Sequence, residues 1–283
     1  MNVKTITSPS AMTRFVKKAR AKGKTVGFVP TMGYLHDGHM ALVRNAKREN
    51  DIVVMSIFVN PAQFGPKEDY AKYPRDFKKD SRLAKKEGVD VIFYPAVKSM
   101  YLPNHSTYVT VEKLTTNLCG RSRPGHFKGV ATVVTKLFNI VPADTSYFGQ
   151  KDAQQAFIIS RMARDLNIPM KIKVVPTVRE EDGLAMSSRN VYLDGNERRE
   201  AAALFKSLSL AKKLISEGER NSKKIIRAIK DFTTKNSSAK IDYVSIIDTD
   251  ELKDIKTLKG RILIAIAAYF GKTRLIDNMI LEV

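Results

Sequence analysis

Two histidines three residues apart, His36 and His39, lie in the run Pro30-Thr31-Met32-Gly33-Tyr34-Leu35-His36-Asp37-Gly38-His39. The apolar run Val26-Gly27-Phe28-Val29 precedes it and residues 40–48 follow with helical spacing, so the histidines sit where a strand hands over to a helix. Glycine lets backbone approach a ligand closely, and the first helical turn offers unpaired N–H groups to an anion. Two imidazoles at this spacing can direct donors at the same anion, which points to a nucleotide site. A metal site is the alternative reading of His-x-x-His. Zinc would need further ligands, and besides carboxylates the chain offers only His105, His126 and Cys119.

Four more loops place polar groups beside expected element ends. Asn60-Pro61-Ala62-Gln63-Phe64-Gly65 follows a Val- and Ile-rich strand, and the Gln63 amide can both donate to and accept from a polar substrate. Residues 120–129 concentrate Arg121, Arg123, His126 and Lys128 ahead of a helix, a setting suited to an anionic ligand or to a solvated loop. Gly149-Gln150-Lys151-Asp152-Ala153-Gln154-Gln155 opens another helix, with Gln155 one turn beyond Lys151. Met186-Ser187-Ser188-Arg189-Asn190 sets hydroxyls beside a cation, as a polyphosphate site requires.

The elements that must position these loops follow from periodicity. Helices are predicted over 11–22, 74–87 and 130–140, with another from 150 to 167. Strands are predicted over 25–30, 51–60, 89–94, 145–149 and 171–178, and a short extended piece over 107–111. Strands alternating with helices of 10–15 residues give an α/β, Rossmann-like, doubly wound parallel sheet. Beyond Gly195 the texture changes to helices over 195–217 and 221–235, then strands near 241–248, 261–270 and 273–281. This is a smaller α+β domain, with the division expected between 1–178 and 179–283.

The chain has 283 residues and a net charge of +20, much of it as single lysines on helix faces; these read as solvated surface rather than a nucleic-acid stripe. Its apolar runs are too short to span a bilayer, and no signal-peptide segment opens it. One cysteine excludes an intramolecular disulfide and fits a reducing cytoplasm.

Taken together, the five loops resemble in order and spacing those of the pantothenate synthetase (pantoate–β-alanine ligase) family, within a nucleotidyltransferase group that includes class I aminoacyl-tRNA synthetases. The resemblance covers nearly the whole chain. It implies that pantoate attacks the α-phosphorus of ATP to give pantoyl adenylate and pyrophosphate, and that β-alanine then displaces AMP, in a cytoplasmic homodimer.

By resemblance, Met32, Gly33, Tyr34, Leu35, His36, Asp37, Gly38, His39, Gly149, Gln150, Lys151, Asp152, Val178, Met186, Ser187, Ser188 and Arg189 contact ATP. His39 is the implied proton donor, with His36 beside it. Gln63 and Gln155 hold pantoate, Gln63 also meets β-alanine, and Arg123 is a further pantoate candidate. Mg2+ accompanies ATP, and Asp80 stands where the family places a magnesium-associated acid. Gln150 departs from the family's usual Glu. The acidic stretch around Gly183 suggests that the second domain acts as a lid. Two alternatives remain: a nucleotidyltransferase that stops at its nucleotidyl product, and an RNA-binding module with steeply salt-dependent affinity.

Overall fold

In the computed structural model, which describes residues 3–66 and 68–283, the chain divides into two compact units. The first takes in the chain to Glu112, Arg123–Gly149 and Gln155–Pro176. The second comprises Lys113–Ser122, Gln150–Gln154 and Thr177–Val283, so the main crossing at Pro176 compares with an expected boundary after 178.

The first unit begins with β1 (Lys4–Ile6), α1 (Pro9–Arg20), β2 (Val26–Thr31), α2 (Asp37–Glu49) and β3 (Ile52–Ile57). It continues with α3 (Phe77–Lys86), β4 (Val91–Phe93) and the single turn α4 (Val97–Met100). After the turn α5 (Cys119–Ser122), which belongs to the second unit, come α6 (His126–Ile140), β5 (Thr145–Gly149), α7 (Ala153–Asp165) and β6 (Lys171–Val175). Six parallel strands lie in the order β1-β4-β3-β2-β5-β6. Val29, Val53, Met55 and Ile92 are buried against Met40, Val43 and Ala46 of α2, and near-continuous apolar strands are what a sheet covered on both faces requires.

Strand order reverses between β2 and β5, the switch point at which such sheets bind ligands. β2 pairs with β3 along its whole length but with β5 only at Gly27 and Phe28. Pro30 has no N–H with which to prolong that ladder, so β2 and β5 part before their carboxyl ends.

The second unit carries α8 (Gly195–Ala201), α9 (Ala203–Ser216), α10 (Ser222–Asn236) and the antiparallel sheet β7 (Lys240–Asp248), β8 (Arg261–Phe270) and β9 (Thr273–Glu282). Leu204, Leu208, Ala211 and Ile215 on α9, with Ile225 and Ile229 on α10, cover Ile262, Ile264 and Ile266, which alternate along one face of β8. Burial of each such side chain contributes about 2 kcal/mol.

Several expectations are corrected. Residues 107–111 join no ladder, since Val109 N–H is taken by the Thr132 hydroxyl at 2.9 Å. The helix placed over 195–217 is two helices meeting at Ala202. β1 was unforeseen, a three-residue strand too short to show periodicity. Among the described residues no helix is long and apolar enough to cross a membrane.

Candidate active site

The loop after β2 is shaped by backbone conformation. Gly33 (φ 85°) and Tyr34 (φ 51°) are both left-handed, and a Cβ on Gly33 would lie 2.9 Å from Asp80 Oδ2 and from a methyl carbon of Ile57. This turn aims the Tyr34 and Leu35 N–H groups at the Asp80 carboxylate on α3, which accepts them at 2.8 and 2.7 Å. Asp80 is 1% exposed, and burial pushes its carboxyl upward while the two N–H bonds pull it down. Its role is thus to anchor the histidine loop. Each of its oxygens accepts one backbone N–H.

α2 starts from a reciprocal cap made by the two histidines. Gly38 N–H donates to His36 Nδ1 at 3.2 Å, and His36 N–H donates to His39 Nδ1 at 3.3 Å. With both Nδ1 atoms accepting, each neutral ring carries its proton on Nε2. The ring centroids are 4.1 Å apart. Two Nε2–H donors and the first turn of α2 therefore occupy the carboxyl end of β2, beside the switch point. Asp37 is exposed in the same turn.

Gln63 ends a short turn of helix, Pro61–Gln63, that follows β3. Asn60 caps this turn: its Oδ1 accepts Ala62 N–H at 3.3 Å and Tyr101 O–H at 2.7 Å, and its Nδ2 donates to Gln63 Oε1 at 3.0 Å and to Gly129 O at 3.1 Å. Gln63 Nε2 faces Met32 Sδ at 3.2 Å, a weak acceptor that a carboxylate or hydroxyl can displace. A Cβ on Gly129 would stand 2.1 Å from Ala62 O, so only glycine lets α6 pass this close to the turn.

Arg123 is paired within the first unit. Its Nε and Nη2 grip Glu68 at 2.7 and 2.6 Å, and its Nη1 meets His126 Nε2 at 3.0 Å. His126 Nδ1 in turn donates to Gln63 O at 2.8 Å. The basic loop expected over 120–129 is largely ordered, with Ser122 closing α5 and His126 opening α6. Arg123 Nη2 also donates to Gln63 O at 3.4 Å, so the guanidinium borders the Gln63 turn. Gln155 stands half-buried in the first turns of α7. Met32 also walls a cavity of about 430 Å³ at the carboxyl ends of β3 and β4, lined by Ile57, Phe58, Tyr70 and Tyr94.

In the second unit, Gln150–Asp152 forms a single turn whose Gln150 and Lys151 carbonyls both accept from Asn278 Nδ2, at 3.0 and 2.9 Å. Gly149, the residue before it, ends β5 in the first unit. Val178 O accepts Met186 N–H at 3.0 Å, closing a narrow loop whose Gly183 has φ 93°. Ser187 Oγ accepts Arg189 N–H at 3.2 Å, capping the turn Ser188–Tyr192, and the Ser188 side chain is buried.

Asn60, Tyr101, Glu68, Gly129, Asp277 and Asn278 were missed as site-forming residues. Asn before Pro after a strand is a legible helix-start signal for the first. The others act across long sequence separations and leave no local pattern. Among the described residues no group of three His, Cys, Asp or Glu side chains is placed to hold a metal ion.

The chain matches the family model for pantoate-beta-alanine ligase over residues 4–280. It is 57% identical over 272 residues to a pantothenate synthetase of Caldicellulosiruptor saccharolyticus, covering 96% of this chain and 97% of that one. The crystal structure of pantothenate synthetase from Thermus thermophilus superposes with a TM-score of 0.93 at 43% identity, covering 98% of this chain and 99% of that one. A pantoate-beta-alanine ligase from Francisella tularensis, complexed with beta-gamma ATP and beta-alanine, gives 0.80 at 34% identity, covering 98% and 97%.

Proposed function

The chain belongs to the pantoate–β-alanine ligase family, whose members condense pantoate with β-alanine at the expense of ATP, and from that premise we propose how its own residues divide the work. Pantoate's carboxylate attacks the α-phosphorus and pyrophosphate leaves; the amine of β-alanine then attacks the acyl carbon and AMP leaves. A carboxylate nucleophile needs no activating base, so the protein's task is charge stabilisation and alignment. The observation that carries this reading is the reciprocal His36–His39 cap, which fixes two Nε2–H donors at the start of α2.

His39 donates its Nε2 proton toward the charge that develops on the phosphates, with His36 as its neighbour. Gln63 gives up its weak bond to Met32 and binds pantoate, with Gln155 as the second amide; Gln63 also meets the incoming β-alanine. Neutral amides bind an acid without quenching its nucleophilicity, as a fixed cation would. Lys151, Ser187, Ser188 and Arg189 hold phosphate oxygens, Gly149 and Asp152 lie at the ribose, and Gln150, Val178 and Met186 complete the nucleotide surface. These sets belong to different units, so the reading requires the second unit to close as a lid; small-angle scattering that stays identical with and without ATP and pantoate would contradict it.

Mg2+ comes bound to ATP and spreads phosphate charge. Asp80, whose oxygens each accept one backbone N–H and keep a second lone pair, is the acid that would face it.

The enzyme acts in the cytoplasm as a homodimer. Of the nine exposed large apolar side chains among the described residues, four (Tyr94, Val97, Leu102 and Tyr108) fall within residues 94–108, apolar surface of the kind that a second copy would cover. Light scattering on the purified chain, and on Leu102→Glu as an expected monomer, tests this.

The chemistry is tested with pantoate carrying heavy oxygen in its carboxylate. Attack at the α-phosphorus leaves one labelled oxygen in AMP. Unlabelled AMP alongside normal product formation would contradict the adenylate route.

A further inference from the structure

β9 carries two polar residues in succession, Asp277 and Asn278, exposed by 3% and 4%. Nothing in the packing of a strand under α9 calls for them. Asp277 accepts from Arg179 Nη1 at 2.7 Å and Nη2 at 3.0 Å, and its Oδ1 also accepts Asn278 N–H at 2.7 Å. Arg179 Nη1 donates to Gly183 O at 3.0 Å, its guanidinium lies 4.1 Å over the Phe205 ring, and its backbone bridges to Ala185. Asn278 Nδ2 donates to the Gln150 and Lys151 carbonyls. A bonded chain thus runs from the Lys151 turn through Asn278, Asp277 and Arg179 to the loop that leads into Met186.

We propose that Asp277 and Asn278 are positioning residues that hold the Lys151 turn and the loop leading into Met186 as one body, so that their phosphate-binding side chains reach the nucleotide in fixed relation. This rests on the reading of Lys151 and residues 187–189 as phosphate ligands. A buried ion pair is a poor route to stability, since apolar side chains of the same volume often hold a core equally well. Asn278 Oδ1 is buried with no partner, a cost that only the directed bonds of its Nδ2 offset. What these residues add beyond packing is placement of two carbonyls 127 and 128 positions away in the chain. The same chain of bonds accounts for Gln150–Gln154 belonging to the second unit although flanked by elements of the first.

The test is a double-mutant cycle on the full-length enzyme. Asn278→Ala is expected to lower kcat/KM for ATP about tenfold, the loss of two hydrogen bonds, while the KM for pantoate stays within about twofold and the thermal midpoint falls only slightly. In a Lys151→Ala background the same change should add little, because both act through one side chain. Undiminished loss in that background, or equal rises in the KM of every substrate that track the thermal midpoint, would overturn the proposal. If Lys151→Ala alone leaves ATP kinetics unchanged, the phosphate reading of Lys151 has failed and the proposal falls with it, a result separate from additivity. Should Asn278→Ala not fold, Asn278→Asp keeps the volume but turns an acceptor on the two carbonyls, and the same loss is expected.

Discussion

The candidate residues of the first unit and those of the second are held by opposite means. In the first unit the histidine pair positions itself: each ring accepts an N–H from the same helical turn, and Asp80 anchors the preceding loop from α3. In the second unit the Lys151 turn depends on Asn278, which closes over it from the last strand. A locally capped site survives distant damage and fails when its own residues change. A site assembled from remote bonds is sensitive to residues that never touch a ligand.

The largest expected effect belongs to the local half. His39→Ala should lower kcat by about two to three orders of magnitude, as loss of a preorganised transition-state donor does, with little change in thermal midpoint; near-normal turnover would remove His39 from the chemistry. Next comes Gly129→Ala, which drives a methyl into the Ala62 carbonyl. It should cost about 1–3 kcal/mol of stability and raise the pantoate KM by displacing Gln63, leaving the ATP KM nearly unchanged. If ATP and pantoate constants moved together, Gln63 would not be the residue this turn serves.

Arg123→Lys should raise the pantoate KM several-fold, because an ammonium cannot grip Glu68 with two parallel bonds while also meeting His126. Steady-state kinetics with the ATP constant as internal control checks it. The same pair sets a pH dependence. Burial alone would push the Glu68 carboxyl up, but the bonds from Arg123 outweigh it and hold the group below its ordinary value of 4.5. A carboxyl held low contributes stability that is complete above 4.5 and is lost as pH falls below it through the folded value. Denaturant midpoints should therefore fall more steeply below that pH in the native chain than in Glu68→Gln; parallel curves would show the pair to be energetically idle. The smallest effect is expected for Gln150→Glu, which adds one charge in a half-exposed turn and should change kcat by no more than about twofold.

Legibility in the sequence followed the same divide. β2, β5 and the three strands of the second sheet were predicted closely because apolar periodicity is local, and the His36–His39 turn was found from its residues alone. Arg123 was recognised as a cation near the site, but its partner Glu68, 55 positions away, left no local pattern to find. The anchoring of the histidine loop by Asp80 was not legible, because a sequence cannot display two backbone N–H groups converging on a carboxylate. Asn278 looked like an ordinary strand residue, since its partners are the carbonyls of a turn that periodicity places in the other domain.

The central claim is that the chain forms an acyl adenylate from pantoate before β-alanine is used. Exchange of labelled pyrophosphate into ATP, with magnesium and pantoate present and β-alanine absent, tests it most directly. Pantoate-dependent exchange, strongly reduced in His39→Ala, is the predicted result. No exchange by a folded, ATP-binding enzyme that still makes pantothenate from the complete mixture would contradict it.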